Sequence, residues 1–289
     1  MPAGSRGTIL GVRDNDTVLA ATRARFERLI AQPEAEIDLA RGALAIAAHG
    51  RPDAHLDGPL AMLETLAERV RLRLDVGDAQ THVIDRLHDV VYREARFRGP
   101  SAAEFHDPRL SLIDLVIERR VGLPISLAIV ELEVAWRIGL PLHGIGLPGH
   151  FIVGAPGGLL LDPAGAGRRL TPDDCQALIR RSIGDGVLFY ARMLRPASKR
   201  EILARVLRNL RAARLADRDW PSALATVELL AVSEPLDPEH GRDRGLLLGR
   251  MGRFGEAVAT LARYLDERPH ADDVGDVRQL MAIFAGRRN

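Results

Sequence analysis

Apolar and polar positions alternate along this chain in two distinct rhythms. In TVLAATRARFERLIA, IDLARGALAIAAHG and LAMLETLAERVRLRL, apolar residues return every three or four positions. Such spacing gives each segment one apolar stripe and predicts three amphipathic helices. Pro33, Gly50-Arg51-Pro52 and Gly77-Asp78 supply the breaks. The helical rhythm continues through THVIDRLHDVVYREA, LSLIDLVIERR and ISLAIVELEVAWRIG, then stops. Three shorter apolar runs follow, LPLHGIGL, HFIVGA and GLLLDP, with Pro148-Gly149 and Pro156-Gly157-Gly158 among the glycines and prolines that bound them. Short runs joined by tight-turn residues predict antiparallel strands.

Beyond Ser198 the pattern becomes helical again and repeats. Laying RDWPSALATVELLAVSEP over GRFGEAVATLARYLDERP gives an offset of 34 residues, which aligns Trp220 with Phe254, Ala223 with Ala257, Val227 with Leu261 and Pro235 with Pro269. An aromatic, a small residue and a closing proline at this period are similar to the tetratricopeptide repeat. The small residue lets antiparallel helices approach, and the proline ends the second one. About three such repeats are needed to stand alone, so this tail is expected to pack on the middle of the chain, with 274–284 as a closing helix. The fold class that follows is α+β in three sections. Residues 14–78 form a helical N-terminal section, 79–197 a core with a small antiparallel sheet, and 198–289 the helical repeats.

Composition narrows the function classes. Across 289 residues, 46% are hydrophobic and 27% charged, with a net charge of +1. This is a globular balance, and near-neutrality argues against a dedicated nucleic-acid binder. The N-terminal MPAGSRGTILGVRDNDT lacks the basic and apolar regions of a secretory signal. No run approaches the roughly 20 apolar residues that span a bilayer. A cytoplasmic protein with neither nucleic-acid nor membrane partners is the expectation. The single cysteine, Cys175, rules out an intrachain disulfide, and no HExxH, CxxC or phosphate-loop pattern occurs. No metal or cofactor is therefore expected. Cys175 follows Thr171-Pro172-Asp173-Asp174, a helix start that Thr171 can cap, and reads as an inert core thiol.

The candidate chemistry lies in the middle section. Ser126 follows a Gly-x-Pro turn at the start of an apolar helix, His150 begins one strand, and Asp162 ends the next. A hairpin can set His150 and Asp162 side by side, so that the aspartate orients the imidazole while its other nitrogen faces the helix start. Free N–H groups at that helix start could stabilise an oxyanion. The bland alternatives are a serine satisfying helix-start donors, a structural histidine and a turn-initiating aspartate. His143 is an odd number of residues from His150, which favours opposite strand faces. Arg208, Arg211, Arg214 and Arg218 lie at helical spacing and read most simply as a solvated basic face.

The run from Asp107 to Gly154 resembles the SirB-type proteins, which join a transglutaminase-like core to a short tetratricopeptide tail. The resemblance rests on Arg120, Gly122, Pro124-Ile125-Ser126-Leu127, Gly139-Leu140, Gly144, Pro148-Gly149-His150-Phe151 and Leu161-Asp162-Pro163. It implies that Ser126 occupies the position of the superfamily's catalytic cysteine, with His150 and Asp162 at the other two triad positions. The chain departs from the family pattern at Leu110, where the family has asparagine, and at Ala164-Gly165 after Asp162-Pro163. An alcohol is harder to activate than a thiol in a site built for a thiolate. Two readings stay open. The first is a non-catalytic or vestigial protein that binds a peptide or protein partner through the triad pocket and the helical repeats. The second is an acyl-transfer enzyme, an amide or peptide hydrolase or transferase, using Ser126, His150 and Asp162.

Overall fold

The computed structural model describes residues 8–49, 51, 54 and 56–287, with side chains described from Thr17 onward. Residues 1–7, part of the N-terminal stretch in which no secretory signal is expected, and Gly50 and Pro52 of the expected break lie outside the described residues. Three helices open the chain: α1 (Thr8–Ile30), α2 (Leu39–Ala48) and α3 (Asp57–Arg71). Asp38 caps α2 by accepting from the Arg41 backbone N–H. Helix α4 (Gln80–His88) runs into a π-helical turn at Asp89–Glu94. A 3-10 turn (Pro108–Ser111) then leads to α5 (Ile113–Arg119) and α6 (Pro124–Arg137). Helix α6 is almost wholly buried, which matches its nearly continuous apolar run.

The sheet follows: β1 (His143–Leu147), β2 (His150–Gly154), β3 (Leu160–Asp162) and β4 (Arg168–Leu170), all antiparallel and in sequence order. Strand β4 is not among the expected strands. Its sequence, RRL, is too short and too polar to show an alternation. Phe151, Val153 and Leu161 pack into the main core with α6, whereas Ile145, Leu147, Ile152, Leu160 and Leu170 pack beneath α7 (Pro172–Ile183). Thr171 and Asp174 form a capping box at the start of α7.

The tail consists of α8 (Lys199–Ala216), α9 (Trp220–Ser233), α10 (Glu239–Arg250), α11 (Phe254–Glu267) and α12 (Val274–Gly286), each packed on the next. Ala223, Ala257, Val227 and Leu261 are fully buried, as the repeat alignment requires, and Phe254 stacks on Phe284 of the closing helix. The main core runs without interruption from Phe26 through α6 to Ile202, Leu203, Leu207 and Leu210 of α8. Helix α8 is thus part of the core as well as the first helix of the tail.

Three of the four arginines in the stripe do not form a solvated face; the fourth, Arg218, lies beyond the end of α8 and is exposed. Arg208 is ion-paired with Glu234, Arg211 bonds Asp243 at 2.6 Å, and Arg214 is buried, donating to the Ser222 carbonyl at 2.9 Å and to the Thr226 hydroxyl. The stripe is the seam between α8 and the following helices. A basic helical stripe has the same spacing whether water or the next helix covers it.

Candidate functional site

Gly122 and Pro124 build the start of α6. A Cβ on Gly122 would lie 2.7 Å from Val116 Cγ1, so the chain can pass α5 here only without a side chain. Pro124 sits at the first helical position, where its missing N–H costs nothing. Ser126 is 1% exposed, and its hydroxyl donates to the Leu110 carbonyl at 2.7 Å. The same carbonyl accepts from the Leu123 backbone N–H at 3.2 Å. Ser126 therefore does not satisfy helix-start donors as a capping serine would. It pins the 3-10 turn before α5 to the entry of α6. Because the Leu110 carbonyl keeps its second partner, Ser126→Ala should lower the unfolding free energy by only about 0.5–1.5 kcal/mol, read from urea denaturation.

At the sheet end, His150 Nε2 lies 3.0 Å from Asp162 Oδ1, with the side chains 12% and 7% exposed. The carboxylate accepts from Nε2–H, which leaves Nδ1 as the ring position without a bond among the described residues. Gly149, at φ +71°, turns the chain into β2 against Ser182 and Ile183 of α7. A Cβ at Gly165 would lie 2.7 Å from Asp162 Oδ2, so the small residues of the Ala164-Gly165 departure leave room for the carboxylate. Strand parity places His150 with Ile152, which packs under α7, rather than with Phe151 and Val153, which pack with α6. The structure thus brings His150 to Asp162, while the Ser126 hydroxyl bonds elsewhere. His143 shares a face with His150, because Leu147 pairs with His150 across the turn and resets the parity. The two histidines stand at opposite ends of the hairpin, and the His143 ring lies over Gly154.

A cavity of about 1020 Å³ opens beside His150 and Asp162, lined by the start of α6, the end of α7 and one side of α8. Ser126 does not line it; its neighbours Pro124 and Ile125 do, as does Ser111. Arg205 of α8 crosses the hairpin end, donating to the carbonyls of Leu147 and His150 at 2.7 Å each. Its guanidinium lies 5.5 Å from the Phe151 ring centre, and burial pushes its pKa down to about 10. It remains a cation at neutral pH.

A buried polar group on α6 is absent from the sequence-based candidates. Glu131 is fully buried on α6 and accepts from the Tyr92 hydroxyl and, at 3.0 Å, from His88 Nε2. Burial, then the Glu131 carboxyl, raises the Tyr92 hydroxyl well above its ordinary pKa. The signal was present in the chain: Glu131 and Glu133 interrupt the otherwise apolar run of α6. Glu133 accepts from the Ala40 backbone N–H at 2.8 Å, and burial raises its own pKa.

Cys175 is fully buried, and burial followed by the Asp174 charge pushes its thiol up to about 11. Thiolate chemistry at neutral pH is therefore suppressed. Iodoacetamide at pH 7.5 should leave the native protein unmodified and label it once in urea, as read by intact mass. Among the described residues, Glu234, Asp237 and His240 have the donor types of a cation site. The Arg208 guanidinium bonded to Glu234 opposes a cation there.

No helix among the described residues is long and apolar enough to cross a membrane. A family model described as transglutaminase-like superfamily matches residues 59–208, and a tetratricopeptide repeat model matches 210–282. A UPF0162 protein of Xylella fastidiosa is 38% identical over 191 residues, covering 64% of this chain and 68% of that protein. A UPF0162 protein of Pseudomonas aeruginosa is 40% identical over 161 residues, 55% of this chain and 54% of the other. Mouse F-box only protein 21 is 28% identical over 144 residues, 46% of this chain and 22% of its own. No solved structure matched the chain. The superfamily match spans the helix start, the hairpin and the first part of α8, and with the Xylella similarity it shows that the chain belongs to the transglutaminase-like superfamily, alongside the UPF0162 proteins.

Proposed function

We propose that this is a SirB-type binding protein that recognises a peptide segment of a partner in the cavity beside His150, with Ser126 at a nucleophile position but not acting as one. The observation that carries the reading is the Ser126 hydroxyl itself. It is sealed from the cavity and spent on the Leu110 carbonyl. Acyl transfer by serine needs the hydroxyl within hydrogen-bond reach of its base and open to substrate. The tetratricopeptide tail supports a protein-binding role, since stacked helix pairs present concave surfaces to partners. A groove of about 650 Å³ between Trp220, Leu246 and Phe284 offers a second contact area there. The SirB-type designation rests on the Gly122–Leu127 and Pro148–Phe151 motifs.

The test uses the full-length chain as bait, with each variant checked for native circular dichroism. A partner captured by the wild type should be retained by Ser126→Ala and lost by Ala177→Trp, which fills the cavity from the exposed side of α7. The competing acyl-transfer reading expects a fluorophosphonate to label Ser126 and His150→Ala to abolish that labelling. Such labelling, or loss of the partner in folded Ser126→Ala, overturns the binding reading.

A further inference from the structure

Two arginines of the cavity wall have no carboxylate partner among the described residues, and that points to a ligand. Three carboxylates line it: Asp107, Asp162 and Asp174. Each is already engaged. Asp107 pairs with Arg109 and Arg119, Asp162 with His150, and Asp174 with Arg168 at 2.7 Å. The remaining lining cations, Arg181 and Arg205, have no carboxylate partner among the described residues. Arg205 bonds only carbonyl oxygens, and both of those bonds use Nη2, which leaves its other N–H groups without acceptors. Asn209, one turn along α8 from Arg205, also lines the cavity and makes no side-chain hydrogen bond among the described residues. Phe105, half-exposed, adds an apolar surface to the same wall.

Resting on the peptide-recognition reading above, we propose that this cavity selects an acidic peptide segment. A carboxylate of the segment is held by Arg205 and Asn209, a further acid is met by Arg181 at the rim, and an apolar neighbour lies against Phe105. A half-buried guanidinium without a counter-ion is costly, and a carboxylate docked on it forms a charge-assisted bond that offsets that cost. The apolar wall beside the cations suits a peptide side chain. A free inorganic anion would gain nothing from it.

The probe is a pair of fluorescein-labelled octapeptide pools, random except for two central positions fixed as glutamate in one pool and glutamine in the other. Fluorescence anisotropy with the full-length protein should show the glutamate pool binding at least about tenfold more tightly. Arg181→Glu, at an exposed position with no ion pair or hydrogen bond among the described residues, should weaken the glutamate pool by about tenfold and the glutamine pool by clearly less. Arg205→Gln should act in the same direction, but Arg205 also ties α8 to the hairpin, so Arg181→Glu is the decisive variant. Equal binding of both pools, or an affinity unchanged by Arg181→Glu, overturns the acidic assignment. If that equal binding is still abolished by Ala177→Trp, peptide recognition stands without it. No binding by either pool counts against both. A phosphoserine pool binding more tightly than the glutamate pool overturns the carboxylate assignment alone.

Discussion

Replacing Glu131 by alanine is expected to lower the unfolding free energy by about 3–5 kcal/mol. The side chain has no contact with solvent, and it accepts from two donors that have no other acceptor, the Tyr92 hydroxyl and His88 Nε2. Truncation leaves the buried Tyr92 donor and the partly buried His88 donor unpaired, at about 1–3 kcal/mol each with His88 at the lower end, and opens a void where the carboxyl was. Tyr92→Phe removes one donor but leaves the buried Glu131 Oε2 without a partner, so it should cost about 1–3 kcal/mol, less than the loss of Glu131 itself. The two substitutions share one interaction, and the double variant should fall short of the sum of the singles. Urea denaturation of the four proteins measures all of this. A Glu131→Ala cost below about 1 kcal/mol would show that the network carries little of the stability. The network also bears on the site. Glu131 ties α6 to Tyr92 and to His88, and the His88 ring lies against Gly167 in the turn between β3 and β4. The helix start that carries Ser126 and the loop that follows Asp162 are held through the same buried group.

That coupling explains what the sequence revealed and what it hid. Periodicity identified the helices and three of the four strands because each has one buried face, and burial writes itself into spacing. The repeat in the tail was legible because Ala223 and Ala257 must both be small where helices touch. Residue types around Ser126, His150 and Asp162 pointed to a site because the turns that aim them, Gly122-x-Pro124 and Pro148-Gly149, are local. What those side chains touch is decided over longer distances. The acceptor of the Ser126 hydroxyl is a backbone carbonyl 16 positions upstream, and a carbonyl has no residue identity to read. Arg205 reaches the His150 carbonyl from 55 positions downstream, and along α8 it resembles any other arginine of a helical stripe. Parity failed at His143 for a related reason, since a turn reverses the chain and the count must restart there.

Acidification from pH 6.5 to 4 is expected to destabilise the protein by about 3 kcal/mol through His49 alone. His49 is 2% exposed at the end of α2. Its Nδ1 lies 2.8 Å from the Thr22 hydroxyl, which itself donates to the Val18 carbonyl at 2.9 Å, so Nδ1–H is the donor in that pair. Nε2 is buried without a partner. A helix C-terminus ordinarily favours a protonated histidine, by up to about 2 kcal/mol. Here burial opposes the charge most strongly, the guanidinium of Arg214 adds to that opposition, and together with Arg23 they outweigh the Ala225 backbone, which favours the proton, so the pKa falls to about 4 from 6.5. Above pH 6.5 the ring is neutral in both the folded and unfolded states, so it contributes no slope. As pH falls toward 4, the unfolded chain takes up a proton that the folded protein refuses, and stability drops. Below about pH 4 both states are protonated and the loss levels off. Other groups titrate in this range, so the measurement is a difference. Urea denaturation of wild type and His49→Gln at pH 7.5, 5.5 and 4.5 should give curves that converge as pH falls, because the variant lacks the refused proton. Parallel curves would mean that His49 accepts its proton in the folded state as readily as in the unfolded chain.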